Sequence, residues 1–171
     1  RFEPENLFYK AKILRFEGRR KEARELCERA ISVCNETGIT FDGPRALAEF
    51  ARNCENDAAQ RKALAEGERI LEQGAVAHNH FYFYRDAMNV MLESGDWDEV
   101  ERYAAALEDY TRPEPLPWCD LFIPRGRALA KHGSGQRDDT LAAELRRLRD
   151  EATRVSLMLA VPALEAALDE F

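Results

Sequence analysis

Histidines, aromatic rings and a charged pair crowd together in the segment HNHFYFYRD, which runs from His78 to Asp86. The two histidines could bind a metal ion in an extended loop. On a helix, however, residues two positions apart point about 200° apart and cannot share an ion. The segment offers no cysteine, and no acidic residue before Asp86, that could complete a metal site with the two histidines. We therefore predict no metal site here, and a helix start with Asn79 as the N-cap residue.

Four consecutive rings must surround the helix that carries them, and a helix that is apolar around most of its girth is a buried one. The predicted core face of this helix consists of Phe81, Tyr84, Ala87, Met88 and Met91. Contact with a ligand is the alternative for Tyr82. The neighbouring Arg85 and Asp86 suggest acid–base chemistry, but adjacent helical residues do not face each other, so a local salt bridge is predicted instead.

Catalytic signatures are absent from the sequence. No Ser–His–Asp, Cys–His or glycine-rich phosphate-binding arrangement occurs, and there are only 3 histidines. We therefore predict that this chain is not itself an enzyme and needs no cofactor. The 4 cysteines show neither CxxC nor zinc-like spacing and are predicted to be small buried hydrophobes of a reducing cytoplasm, with a disulfide or a reactive thiol as the alternative. They are Cys27, Cys34, Cys54 and Cys119.

Length and composition limit the class of protein. The chain has 171 residues, of which 45% are hydrophobic and 33% charged, which indicates a single globular domain over residues 1–171. A net charge of −7 makes nucleic acid a poor partner. No apolar run approaches the ~18 residues of a membrane span, so no membrane segment and a cytoplasmic location are predicted. Because the sequence starts at Arg1 rather than Met, we expect a fragment of a longer chain.

Helical spacing of apolar residues occurs along the whole chain, whereas strand-like alternation does not. About nine helices are predicted. Among their boundary signals, Gly38 and Gly74 suit helix ends, Pro44 suits a first helical turn, and Asp96 suits an N-cap. The sequence therefore predicts an all-α protein with short connections.

Two of the predicted turns are near copies of each other. Gly18 is followed five residues later by Ala23, and Gly95 is followed five residues later by Val100. Gly133 is predicted to close a third helix of the same kind. A spacing of 38 residues between the last two glycines is close to the ~34-residue period of helix-turn-helix repeats. Antiparallel helix pairs are therefore predicted, in about four units, with residues 162–171 as a C-terminal capping helix.

The pattern G-x-x-x-x-A-x6-A, formed by Gly18, Ala23 and Ala30, resembles the tetratricopeptide repeat. In addition, the segments ALAEGERILEQGAVAHNHFYFYRDAM, GDWDEVERYAAALEDYTRPEPLPW and RGRALAKHG resemble the C-terminal helical-repeat region of large bacterial proteins that begin with a class III adenylate/guanylate cyclase domain. The resemblance covers residues 38–171. It implies a right-handed superhelix of stacked helix pairs. It also implies a non-catalytic accessory domain in signal transduction, with the cyclase activity elsewhere in the parent protein.

In tetratricopeptide arrays, fixed positions on the first helix of each pair line a concave groove. Counted back from Gly18, Gly95 and Gly133, and from Ala63 in the less regular second unit, these positions hold Lys12, Arg15, Arg45, Arg52, Tyr82, Arg85, Asn89, Arg127 and Lys131. A basic row on an acidic chain favours acidic peptides or a carboxylate terminus. The alternative is a set of solvated faces in local ion pairs.

These observations predict an interaction or regulatory scaffold domain of a cyclase-type signalling protein. Its partner would be a protein or peptide, including other domains of the same chain. A small-ligand sensor, with Tyr82, Tyr84, Met88 and Met91 around a pocket between helices, is the alternative. Weak homodimerisation through the first helix pair is also expected, because Leu7, Phe8 and Ile13 would otherwise lack a covering neighbour.

Overall fold

Helices make up all the regular structure of residues 3–171, the part of the chain that the computed structural model describes. In chain order they are α1 (Glu3–Phe16), α2 (Arg20–Thr37), α3 (Ile39–Arg52), α4 (Asp57–Glu72), α5 (Ala77–Ser94), α6 (Trp97–Thr111), α7 (Pro117–Gly133), α8 (Asp139–Arg154), a 3₁₀ turn (Met158–Ala160) and α9 (Val161–Leu168). Within this range there is no strand. The all-α prediction is confirmed.

The chain divides into two compact units, with the boundary between Val90 and Met91 inside α5. In unit 1, α1 packs on α2, α2 on α3 and α3 on α4, and α1 also contacts α3. In unit 2, α6 packs on α7, α7 on α8 and α8 on α9. Helices that follow each other in sequence are therefore neighbours in space within each unit.

Three helix-ending turns share one hydrogen-bonding pattern, centred on Gly18, Gly95 and Gly135 with φ of 78°, 75° and 100°. After each glycine, the next amide donates back to a carbonyl five residues earlier, over 2.9 to 3.0 Å. This is the Schellman pattern, which requires the left-handed backbone that glycine adopts without strain. Gly133 is the last residue of α7, as predicted, but the left-handed turn that follows it lies two residues later at Gly135.

Unit 1 is built on small residues that let its helices approach closely. Ala11, Ala23 and Ala30 are buried, and Phe8 packs against Ala30 and Ala46. The expectation that Phe8 needs a covering neighbour is wrong, because α2 and α3 already enclose it. Self-association through α1 would therefore have to use other side chains.

The ring buried most completely in α5 is Phe83, with 0% exposure, whereas Phe81 and Tyr84 are only partly buried. The predicted core face is thus wrong for these two rings and right for Ala87, Met88 and Met91. The reason is Gly67 of α4. A Cβ atom at that position would lie 2.2 Å from the Phe83 ring, so the missing side chain makes the space that Phe83 fills.

The starts of α3 and α5 differ from the prediction and depend on each other. α3 already begins at Ile39, so Pro44 lies in its second turn and cannot donate to the carbonyl of Thr40. That carbonyl accepts instead from the Val76 amide at 3.3 Å and from Asn79 Nδ2 at 3.2 Å. Asn79 is therefore not an N-cap. It lies inside α5 and is buried, because its amide group satisfies backbone carbonyls of α3.

Unit 2 has a continuous apolar core of leucine, alanine and aromatic side chains contributed by α7, α8 and α9, including Leu145 and Leu148. At the C-terminal helix, Leu164 and Ala167 are buried while Glu165 and Asp169 are exposed, as predicted for a capping helix. Gly133 has a packing role in this unit. A Cβ atom there would lie 2.3 Å from the Trp97 ring.

Candidate interaction site on alternate helices of unit 1

A stripe of alternating charge runs along α3. Asp42, Arg45, Glu49 and Arg52 are spaced by three, four and three residues, so they lie on one face of the helix. Three of them are buried, and Glu49 has no exposed surface at all. A buried charge is tolerated only where an opposite charge or hydrogen bonds compensate for lost hydration. The surrounding helices α1 and α5 supply this compensation, and we call the resulting set of contacts the charged lattice.

Glu49 is held by α1. The Nε atom of Arg15 donates to Glu49 Oε1 at 3.0 Å, and Lys12 Nζ lies 3.9 Å from Oε2. Asn53 Nδ2 also donates to Glu49 Oε1, at 3.2 Å. Burial raises the pKa of Glu49 more than the two cations lower it, so its pKa lies above the ordinary value.

Asp86 of α5 is the second buried carboxylate of the lattice. Arg85 Nε donates to its Oδ1 at 2.7 Å, and Lys12 Nζ donates to its Oδ2 at 3.2 Å. Burial acts to raise the pKa of Asp86, but the charges of Arg85, Lys12 and Arg52 together outweigh it, so the pKa lies well below the ordinary value. The predicted local salt bridge between Arg85 and Asp86 is confirmed, and Lys12 extends it to α1.

Arg45 connects all three helices. Its guanidinium bonds Asp42 Oδ1 at 3.2 Å and donates to the Tyr9 hydroxyl at 2.8 Å. Its guanidinium carbon also lies 4.6 Å from the centre of the Tyr82 ring, within the range of a cation–π contact. His78 Nε2 is 4.0 Å from the same Asp42 oxygen. The histidine thus lies beside the lattice and takes no part in a metal cluster, and no group of three potential metal ligands occurs among residues 3–171.

The charged lattice brings together five of the predicted site residues through the contacts described above: Lys12, Arg15, Arg45, Tyr82 and Arg85. Arg52 belongs to it through its charge, which acts on Asp86. Asn89 is partly buried further along α5. The five basic members face three carboxylates of the same unit, Asp42, Glu49 and Asp86, so most of the predicted positive charge is compensated within the lattice.

The two predicted site residues of unit 2 have a different environment. Arg127 binds two glutamates of α6, with its Nη2 atom 2.8 Å from Glu101 Oε1 and 2.9 Å from Glu108 Oε2. Lys131 is exposed. Arg127 and Lys131 were assigned to the predicted groove by counting back from Gly133. Because the turn lies at Gly135, the same count ends two residues later in the chain. The same positions then fall on Leu129, which is buried, and on Gly133.

Pockets and thiols complete the description of the site. Met88 and Met91, which the ligand-sensor alternative assigns to a pocket, are each buried. A cavity of about 220 Å³ lies elsewhere in unit 1, between Pro4, Cys34, Thr37, Gly38, Phe41 and Asp42.

All four cysteines are reduced and buried, and burial raises the pKa of Cys34 to about 12 and of Cys119 to about 11. These thiols remain protonated at neutral pH, which makes them poor nucleophiles.

Asp42 and Glu49 are the lattice residues that the sequence analysis missed. Most of the other residues of their helix are uncharged, and helical spacing alone does not show that the face with Asp42 and Glu49 is buried. The signal that identifies them is the strict alternation of acid and base along one face of FDGPRALAEFAR. Such a face can be buried only against side chains of complementary charge.

Comparison with protein-family models, with curated proteins and with solved structures finds no match to this chain. Among the described residues, no helix has both the length and the apolar character needed to cross a membrane.

Proposed function

We propose that this chain is a non-catalytic protein-interaction domain that regulates or scaffolds a cyclase-type signalling protein, as its sequence resemblance implies. The observation that supports this most directly is the charged lattice. It joins α1, α3 and α5, the alternate helices of unit 1, through side chains on a common face. In stacked helix pairs the first helix of each pair lines such a face, and extended faces of this kind bind proteins.

The chemistry of the lattice supports recognition rather than catalysis. Glu49 and Asp86 are each held by a cation of α1, and Asp42 by Arg45 of its own helix, which together stabilise a fixed arrangement. The aromatic side chains of Tyr9 and Tyr82 lie at its edge and engage Arg45. Tyrosine and arginine are the residue types enriched at binding hot spots, because they combine large contact area with directional hydrogen bonds.

An acidic peptide is the partner that these residues favour, but it must compete with carboxylates already present. A ligand carboxylate would replace Asp86 on Arg85 or share Lys12 with it. Lys12 has a side-chain exposure of 21%, so its ammonium group can meet a ligand carboxylate at the edge of its pair with Asp86. Recognition at this edge would be specific and modest in strength.

The test uses the full-length parent protein and two lattice-edge changes, Tyr82→Ala and Asn89→Ala. Charge reversal at Arg85 is less suitable, since it would place a second negative charge beside the buried Asp86 and disturb the fold. A photoreactive amino acid at position 82 should cross-link to a protein segment, and the same group at the exposed Asp109 should not. Cross-linking should fall in the Asn89→Ala variant.

The cyclase assignment is tested separately. A parent protein with nucleotide cyclase activity should keep its basal rate in the Tyr82→Ala variant but lose its response to the cross-linked partner, because no catalytic group lies in the lattice. Equal cross-linking at both positions would contradict the interaction role. A parent without cyclase activity would contradict only the cyclase assignment.

A small-ligand sensor is the second candidate, favoured by the cavity of about 220 Å³ that Phe41 and the buried Asp42 help to line. An aromatic ring beside a carboxylate suits a small organic cation. Binding to the folded state stabilises it by RT ln(1 + L/Kd), where L is the ligand concentration, so the melting temperature rises with the logarithm of ligand concentration once that concentration exceeds Kd. A thermal shift with small amines that is lost in Asp42→Asn would support this candidate over the first.

A further inference from the structure

Three large apolar side chains remain exposed along the outer face of α1. Tyr9, Ile13 and Phe16 are 44%, 59% and 66% exposed, although α1 buries its opposite face in the core of unit 1. Their spacing of four and three residues places them in one row on the helix surface. Contiguous exposed apolar side chains of this size mark interaction sites more often than isolated ones do. We call this row the α1 stripe.

Basic residues surround the α1 stripe. Six lysines and arginines and one glutamate lie between Tyr9 and Lys21, which gives this stretch a formal charge of +5 in a chain whose total is −7. Lys10 and Lys12 flank the stripe on opposite sides of α1, and Arg20 and Lys21 begin α2 just beyond it. Lys10, Arg20 and Lys21 are exposed and form no ion pair with any residue in the range 3–171. They are therefore available to an incoming charge, unlike the cations of the lattice.

We propose that the α1 stripe and its basic border bind an amphipathic, acidic helical segment of a protein partner. Three apolar positions in helical register match the anchors by which one amphipathic helix docks on another. Acidic residues beside the partner's apolar anchors would then meet Lys10, Arg20 and Lys21. The partner's charge follows from complementarity, because a basic or neutral segment would leave these cations without counter-charges.

A membrane surface or nucleic acid fits the same patch less well. Glu3, Glu17 and Glu22 are exposed around the stripe, and the chain as a whole is acidic, so a broad anionic surface would be repelled outside a small area. Phosphates also offer nothing for Ile13 and Phe16 to bury against. A protein helix can place apolar side chains on the stripe and carboxylates on its border within the same narrow contact.

This inference deepens the proposed function by naming a partner class. Tyr9 and Lys12 border both surfaces, but the anchors Ile13 and Phe16 and the basic residues Lys10, Arg20 and Lys21 make none of the charged-lattice contacts described above. The two therefore fail independently. Changes at Ile13 and Phe16 leave Tyr82 and Asn89 intact, and the lattice-edge variants leave the α1 stripe intact. Loss of cross-linking at position 82 with normal peptide binding to α1 would contradict the lattice role alone.

The experiment measures fluorescence polarisation of labelled amphipathic 16-residue peptides. They carry Leu or Phe at helical i, i+3 and i+7 positions and Glu on either side, and are compared with scrambled and Lys-for-Glu versions. The test variants are Ile13→Ser/Phe16→Ser and Lys10→Glu/Lys21→Glu. Their matched controls are Met158→Ser/Leu159→Ser, exposed apolar residues of unit 2, and Lys62→Glu/Arg146→Glu, exposed basic residues outside the patch.

We expect the acidic amphipathic peptides to bind at least ten-fold more tightly than the scrambled ones. The serine pair at α1 should weaken binding at least ten-fold. The charge-reversed pair at the patch should weaken it several-fold at low salt and much less at 1 M salt, where screening shortens the range of charge to about 3 Å. Both control variants should bind like the unaltered chain, and circular dichroism should show all variants folded.

Several outcomes would overturn the proposal. These are equal affinity for scrambled peptides, unchanged binding in the α1 variants, or loss of binding to the same extent in the controls. Binding to vesicles containing phosphatidylserine without binding to the peptides would identify a lipid surface instead. A dimer in light scattering that the α1 serine pair dissociates, again without peptide binding, would identify a second copy of this chain.

Discussion

Units 1 and 2 handle charge in opposite ways. Unit 1 buries Asp42, Arg45, Glu49 and Asp86, and its alternate helices contact one another through these residues. Unit 2 buries an almost wholly apolar core and keeps its long-range pairs, such as Arg127 with Glu101 and Glu108, at the surface. The arginines of the predicted basic row therefore pair with buried carboxylates in unit 1 and with exposed carboxylates in unit 2.

The buried charges of unit 1 affect which helix faces pack together more than they affect the stability of the unit. A buried pair returns little net stability, because desolvation offsets most of the attraction between the charges, yet removal of one member leaves the other uncompensated. The lattice of unit 1 thus fixes which faces of α1, α3 and α5 meet. In unit 2 the packing of leucines does this, and the exposed Arg127 pairs contribute little, as exposed pairs generally do.

The largest expected effect tests whether unit 1 tolerates any buried charge or only a paired one. Met88→Asp places a carboxylate in the core face of α5, where Met88 is buried. We expect a loss of about 4 kcal/mol in the free energy of unfolding, since the new carboxylate would lose its hydration there. Urea unfolding followed by circular dichroism measures it, with the exposed Met158→Asp as control. Equal stability of the two variants would show that the Met88 face is not core.

Next in size is the effect of removing a paired charge from each unit. Asp86→Asn leaves Arg85 and Lys12 without their buried counter-charge, and we expect a loss of about 3 kcal/mol. Glu108→Gln in unit 2 should change stability by less than about 0.5 kcal/mol, because Glu108 is exposed and Arg127 keeps Glu101. The same urea titration compares both. Similar losses in the two variants would remove the distinction between the units.

The helical pattern was predictable because local signals and burial agree. Asn56 and Asp96 cap α4 and α6 through bonds to the amides of Ala59 and Glu99, as their residue types indicate. The start of α3 was not predictable in this way. Pro44 looks like a first-turn residue, and only the contact with Asn79, far away in sequence, makes its place in the second turn tolerable.

The basic residues of the candidate site were predictable, but its carboxylates on α3 were not. Helical spacing grouped Lys12, Arg15 and Arg85, which the structure also brings to shared buried carboxylates. Sequence spacing cannot show which face of α3 turns towards them. That orientation brings Glu49 into the middle of the basic row and compensates much of the positive charge predicted for the groove.

A smaller difference in stability is expected between alanine substitutions at Gly67 and Gly133, the two glycines that leave space for an aromatic ring. Gly67→Ala would bring a Cβ atom to 2.2 Å from the completely buried Phe83, and Gly133→Ala would bring one to 2.3 Å from Trp97, which is only partly buried. Overpacking costs about 1–3 kcal/mol, part of which the better helix propensity of alanine offsets. Because Trp97 can move outwards, we expect Gly67→Ala to be the more destabilising by about 1 kcal/mol in thermal unfolding. The reverse order would mean that the core around Phe83 yields more easily than the edge of unit 2.

The smallest expected change in the free energy of unfolding is that of Glu49→Gln, and its pH dependence has a definite sign. Burial raises the pKa of Glu49 in the folded state above its ordinary value of 4.5, which applies in the unfolded state. At pH values between these two pKa values, the folded state therefore binds more protons than the unfolded state. The contribution of Glu49 to stability therefore falls as the pH rises through that window. Asp86, whose pKa is lowered, acts oppositely and contributes less as the pH falls below its ordinary value of 3.8.

Replacing Glu49 with glutamine keeps an oxygen that can accept from Arg15 and Asn53 but removes the titrating group. We expect stability within about 1 kcal/mol of the unaltered chain, as for other replacements of buried charges by neutral groups. The difference in unfolding free energy, variant minus unaltered, should become more favourable to glutamine as the pH rises above 4.5, and should level off once the pH passes the raised pKa of Glu49. Subtracting the two curves removes every titration that the proteins share. A difference that moves the other way over that range would mean that Arg15 and Lys12 stabilise the Glu49 carboxylate more than burial penalises it, and that unit 1 gains stability as well as specificity from this pair.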